Sequence, residues 1–138
     1  MESTALKIIN YSFGDKEDLA GEPYIGHLER VANAFGQHNP ARIVALLHDI
    51  LEDCPEWNEI SLRCFFSDEV VDAVVALTKK QGQDYDDYIS QVMDNHYASM
   101  VKKADLKDNM DITRLPTLRD KDIERLKKYH KAYLRLTK

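Results

Sequence analysis

The stretch ALLHDILED, residues 45–53, sets His48, Asp49, Glu52 and Asp53 among leucines and isoleucines. Its apolar residues recur at helical spacing, and Ile43, Leu46, Leu47, Ile50 and Leu51 fall on one side of a helical wheel. The four polar residues share the other side. His48 stacks with Glu52 and Asp49 with Asp53, four residues apart. A solvated polar face is the plain reading of such a cluster. Exposed faces are usually laced with Lys or Arg partners four residues away, however, and none is present here. Carboxylates and an imidazole in the middle of an apolar helix need either water or a ligand that the chain does not supply.

Outward from this stretch the spacing stays helical, and no clean alternation predicts a strand. Helices are expected over 3–12, 23–36, from Pro40 to just before Pro55, and over 57–65, 68–79, 85–93, 96–112 and 120–136. The breaks fall at FGDKEDLAGE, GQHNP, Pro55, QGQD and Pro116, where glycine, proline and short polar residues concentrate. Pro23 suits a helical first turn, where its missing N–H has no partner in any case. Ser67 or Asp68 is placed to cap the helix that follows it. The expected architecture is all-α, about seven or eight helices in a single domain over residues 1–138. That length suffices for one sizeable core.

Composition narrows the function. With 43% hydrophobic and 31% charged residues the chain reads as an ordinary soluble protein. A net charge of -5 argues against a partner as long and as anionic as nucleic acid, while leaving room for a small phosphorylated ligand at a local basic cluster. No apolar run reaches the ~20 residues that cross a bilayer. MESTALKIINYS lacks a basic start followed by an apolar run, so a cytoplasmic location without a signal peptide is expected. Cys54 and Cys64, without C-x-x-C spacing, are expected to be free. The sequence carries no information on oligomeric state.

Two further segments give the polar face a purpose. PYIGHLERVA places His27 on an otherwise apolar helical face, and VKKADLKDNM places Asp105 and Asn109 four residues apart. His27, His48, Asp49 and Asp105 thus supply two imidazoles and two carboxylates from three helices. Nitrogen and oxygen donors without thiolate suit Mn²⁺, with Fe²⁺ or Zn²⁺ as alternatives. Glu52 and Asp53, one turn further on, would lie near such an ion and could activate a water.

These residues resemble a family. His27, His48-Asp49 and Asp105 match the H…HD…D signature of HD-domain metal-dependent phosphohydrolases. GEPYIGHLERVA, ALLHDILED and VKKADLKDNM are similar, in the same order, to the G-x-P-Y-x-x-H, L-L-H-D-x-x-E-D and V-K-x-A-D-x-x-x-N blocks of the Rel/Spo-homologue alarmone hydrolase domain. The likeness runs from about residue 13 to 136 and is greatest to the single-domain small alarmone hydrolases.

The resemblance implies Mn²⁺ held by His27, His48, Asp49 and Asp105, with Glu52 and Asp53 positioning and deprotonating the attacking water. It implies that Asn109 helps to hold the substrate and that Arg125 and Tyr129 in ERLKKYH contact its phosphates. Lys79 and Lys80 fall where the family supplies another basic group. Lys102 shares the helical face of Asp105. Two positions depart from the pattern. Leu28 replaces the usual proline after the first histidine, and Lys16 stands where an arginine packs on the guanine. An ammonium cannot stack or bond in the bidentate manner of a guanidinium, so the departure at Lys16 bears on which base is read.

The expected activity is Mn²⁺-dependent removal of the 3′-pyrophosphate of guanosine alarmones, ppGpp or pppGpp giving GDP or GTP. The alternatives are an HD phosphatase acting on a nucleoside monophosphate or NADPH, and a nucleotide-binding module without catalysis.

Overall fold

A computed structural model describes residues 1–138. The elements are α1 (Glu2–Phe13), α2 (Tyr24–Ala32), α3 (Pro40–Leu47), α4 (Ile50–Asp53), α5 (Glu59–Arg63), α6 (Asp68–Ala76), α7 (Tyr85–Met93), α8 (His96–Asn109), a 3₁₀ turn (Ile112–Arg114) and α9 (Asp120–Leu136). All eight expected helices are present, and the third is divided in two. No strand forms; the nearest thing to one is a lone bridge between Glu17 and Pro23.

Local chemistry sets most of the starts. The Asn39 side chain accepts from the Ala41 N–H while Pro40 opens α3. Ser67 caps α6, Asp84 caps α7 and Asn95 caps α8 in the same way. Pro23 differs from expectation. It has an extended ψ of 131° and precedes α2 as its cap rather than sitting in the first turn. The reason lies in the preceding loop, which closes on itself: Asp18 N–H donates to Glu22 O at 2.7 Å and Tyr24 N–H to Lys16 O at 2.8 Å. Gly21, at φ +81°, makes the turn that a side chain would strain. At the other end α2 stops at Ala32, short of the expected 36, because the chain turns through Asn33 to Gly36 toward the Asn39 cap.

α3 is the hub, packed against α1, α2, α6 and α8. Ala41, Val44, Ala45, Leu46 and Leu47 are all buried, joined by Ile9 and Phe13 of α1, Leu28 of α2, Val71 of α6 and Val101 and Leu106 of α8. A helix surrounded on so many sides must be apolar almost all round, which explains its composition. Its C-terminal end therefore lies deep in the molecule, and His48 lies there with it. α9 lies across α7 and α8, burying Ala132 and Leu136 and leaving most of its charged face in water. Cys54 is buried and Cys64 exposed, both as free thiols. No helix is long and apolar enough to cross a membrane.

Candidate functional site

The division of the third helix is the first feature of the site. α3 ends at Leu47, and His48-Asp49 form a turn before the single turn of α4. The His48 ring takes the Ala45 carbonyl, with Nδ1 at 2.6 Å. That carbonyl is the acceptor the Asp49 N–H would use in a continued helix, so the side chain competes with the helix at that point. The helical ladder is interrupted there and resumes one turn on, where the Asp53 N–H donates to the Asp49 carbonyl at 3.0 Å. Asp49 takes φ -100° and ψ 0°, and α4 sets off afresh.

A carbonyl oxygen can only accept, so His48 Nδ1 carries the proton and Nε2 is the lone-pair nitrogen. Nε2 lies 3.3 Å from Asp49 Oδ2 and 3.3 Å from Asp105 Oδ1. It is buried and in hydrogen-bond geometry with neither. His27 repeats the pattern: Nδ1 lies 2.6 Å from the Asp108 carboxylate and Nε2 3.0 Å from the same Asp105 Oδ1. Two imidazole lone pairs thus converge on one carboxylate oxygen, an arrangement that repels unless a cation lies among them. The ligand atoms of His27, His48 and Asp105 are all within 4.8 Å of one another, and all three residues are buried. This donor set, with the far nitrogens tied to a carboxylate and a carbonyl, fits a divalent metal ion. Asp49 adjoins the group, its Oδ2 also accepting from the Tyr24 hydroxyl.

Without a metal, a proton occupies that place. Burial pulls the His48 pKa down, but the Asp49 and Asp105 carboxylates outweigh it and hold it at about 9. For Asp105, burial pushes upward, yet Lys102, His48 and His27 hold the carboxyl well below the usual range. Lys102 reaches Asp105 Oδ2 at 3.0 Å and the Asn109 amide donates to Oδ1 at 3.0 Å.

Around this buried group lie two cavities that share Asn109 and Tyr129. One, of about 90 Å³, is bordered by Tyr24, His27, Arg30, Arg125 and Tyr129. The other, of about 580 Å³, is bordered by Asp49, Glu52, Lys79, Lys102, Lys128 and Tyr129. Glu52 accepts from the Lys79 backbone N–H, and burial raises its pKa. Arg125 is bound to the buried Asp122. Lys16 and Asp53 border neither cavity; they pair with each other at 3.0 Å, and the Lys16 ammonium lies 4.3 Å from the Tyr24 ring centre.

Several residues of the site lie outside the set expected from the sequence. Asp108 tethers His27 and is itself gripped by Arg30, whose Nε donates at 2.8 Å, and approached by Arg114 Nη2 at 3.5 Å. Asp18 joins Arg114 at 3.2 Å and links this network to the loop before α2. Burial raises the Asp108 pKa, but the bonds from His27 and Arg30 prevail and bring it to about 2. The spacing holds a clue, since Arg30 follows His27 by three residues and Asp108 follows Asp105 by three, each on one helical face. Tyr24, Tyr85 and Lys128 are the other additions.

No protein-family model matches the chain, and no curated protein sequence does. Among solved structures it resembles a metazoan orthologue of SpoT, described as hydrolysing ppGpp and playing a role in starvation responses. The TM-score is 0.78 at 19% identity, over 97% of this chain and 83% of that one. The likeness shows the fold, and the chain accordingly has an all-α HD-type fold.

Proposed function

We propose that this chain is a metal-dependent phosphohydrolase that removes the 3′-pyrophosphate of a guanosine alarmone, converting ppGpp or pppGpp to GDP or GTP. The observation that carries the reading is the convergence of His27 Nε2 and His48 Nε2 on Asp105 Oδ1, with both Nδ1 protons committed elsewhere. The resemblance of the sequence blocks to alarmone hydrolases and the shared fold with a ppGpp hydrolase support the substrate class.

His27, His48 and Asp105, with Asp49 beside them, would hold Mn²⁺, Fe²⁺ or Zn²⁺. Such an ion lowers the pKa of water and polarises a phosphoryl oxygen. Glu52, at the cavity edge with a raised pKa, would accept the proton of the attacking water. Asp53, paired with Lys16 outside both cavities, would orient that water only on leaving Lys16. Attack at the 3′ phosphorus breaks its bond to the ribose oxygen and leaves a 3′-hydroxyl and pyrophosphate. Lys79, Lys102 and Arg125 would offset phosphate charge, and Asn109 and Tyr129 would hold the ligand between the two cavities. Lys16, engaged by Asp53, favours a second reading in which the base is not read by an arginine-like contact and another nucleotide, a nucleoside monophosphate or NADPH, is the substrate.

Purified protein with Mn²⁺, offered ppGpp, pppGpp, nucleoside monophosphates and NADPH, decides between them when the products are separated by chromatography. Preferential conversion of ppGpp to GDP and pyrophosphate supports the first reading. Turnover confined to the other nucleotides supports the second, and no turnover of any leaves only a binding role.

A further inference from the structure

The larger cavity carries both signs of charge: Asp49, Glu52 and Asp84 line it together with Lys79, Lys102 and Lys128. The Asp84 carboxylate is taken up by the backbone N–H groups of Asp86 and Asp87. Two of the neighbouring cations already have carboxylates: Lys102 holds Asp105 and Arg125 holds Asp122. Lys79 and Lys128 form no ion pair within 4.0 Å. The Lys128 ammonium instead lies 4.4 Å from the Tyr85 ring centre and 5.7 Å from that of Tyr129. Burial, then the charges of Lys102, Lys79 and Arg125, lower its pKa, as expected of a cation set among cations.

Tyr85 supplies an independent sign. Its hydroxyl is enclosed and has no hydrogen-bond partner, although the residue lines the same cavity. Burial raises its pKa, so it stays protonated and available as a donor. A buried donor without an acceptor is costly, and a phosphoryl oxygen would satisfy it.

We propose that Lys128, Tyr85 and Lys79 form a subsite for the terminal phosphoryl group of a diphosphate, which makes the site selective for diphosphate over monophosphate esters. The subsite deepens the phosphohydrolase reading and rests on it for the position of the scissile bond. The nearer phosphoryl group lies toward Asp49 and Glu52, where water is activated. The farther one accepts from the Tyr85 hydroxyl and the two free ammoniums. Two lysines and a tyrosine supply charge-assisted bonds, which discriminate strongly when an anion lacks the oxygens to receive them.

The test uses inorganic pyrophosphate and inorganic phosphate as probes, titrated calorimetrically into the full chain stripped of metal so that the anions are not sequestered. Wild type binds pyrophosphate more tightly than phosphate. Lys128→Met, an exposed position on α9, weakens pyrophosphate binding by about ten- to a hundredfold and barely alters phosphate binding. Tyr85→Phe acts in the same direction and less strongly, and raises the melting temperature of the anion-free chain, since it removes a buried hydroxyl that has no partner. The subsite is overturned if wild type binds neither anion, binds both equally, or keeps its preference in both variants. If the preference depends on Lys128 but Mn²⁺-loaded wild type hydrolyses no 3′-diphosphate nucleotide, the subsite stands and the proposed reaction falls. If hydrolysis occurs and the preference does not depend on Lys128, the reaction stands and the subsite falls.

Discussion

The two ends of the site are built by opposite means. At the proposed metal end His27, His48 and Asp105 are 4%, 2% and 4% exposed, and the atoms not facing the shared centre are tied to Asp108, Ala45 O and Lys102. At the proposed phosphate end Lys128 is an exposed side chain, Lys79 is half-buried, and neither has a carboxylate partner. A metal ion tolerates little positional error, so its ligands are held by packing and hydrogen bonds before it arrives. A polyphosphate is flexible and strongly charged, so long side chains that adjust on binding serve it well. The difference teaches that substitutions at one end should act through metal affinity, and at the other through rate or selectivity.

The sharpest way to break this division is Glu52, which sits between the two ends. Glu52→Gln keeps its size but cannot accept a proton, so turnover falls by about 10²–10⁴ with metal content near wild type. Asp53→Asn has the same direction, measured on purified protein with metal counted separately. If either variant loses the ion together with its activity, that carboxylate belongs to the metal end and the division must be redrawn.

The pH dependence of stability sharpens the contrast from the other side. His48 has a folded pKa of about 9 against an ordinary 6.5. In metal-free protein its proton therefore stabilises the fold fully below pH 6.5, and that contribution is lost as pH rises through 9. The loss is on the order of 3 kcal/mol. Metal-loaded protein has no such proton to lose. Melting curves between pH 6 and 9.5 should diverge, with the chelated form weakening and the Mn²⁺ form holding; parallel curves would show that the two carboxylates do not act on His48.

Asp108 tests whether the metal end depends on the residues behind it. Asp108→Asn leaves a hydrogen-bonding side chain beside His27 but removes the charge that makes the imidazole a strong ligand. Mn²⁺ affinity, followed by calorimetry, should fall by about ten- to a hundredfold. An unchanged affinity would make the network of Arg30, Asp108, Arg114 and Asp18 a brace for the loop and nothing more.

Legibility in the sequence follows the range of the forces involved. α7 and α9 occupy the expected 85–93 and 120–136 because apolar period and end residues settle both locally. His27, His48 and Asp105 stand out because a polar residue on an apolar face must find a partner or a ligand, and the three meet in one buried group. The turn at His48 is not legible, because it depends on a ring taking its own helix's carbonyl in a crowded interior. Asp108 reaches His27 across the contact between α2 and α8, which no wheel of either helix displays. Lys128 on the wet side of α9 reads as solvated charge until Tyr85 and Lys79 are placed around the same cavity. Lys16 reads from sequence as facing a base, whereas the closed loop delivers it to Asp53.

The proposed hydrolysis depends on a divalent ion at His27, His48 and Asp105, and titrating Mn²⁺ into chelator-stripped protein tests for it most directly. One ion per chain should bind, and at a hundredfold excess over the dissociation constant the fold should gain about 2.7 kcal/mol, seen as a rise in melting temperature that chelator reverses. Asp105→Asn should abolish both the binding and the rise. Wild-type protein that takes up no Mn²⁺, Fe²⁺ or Zn²⁺, and melts identically with and without chelator, would contradict the metal centre and the hydrolysis built on it.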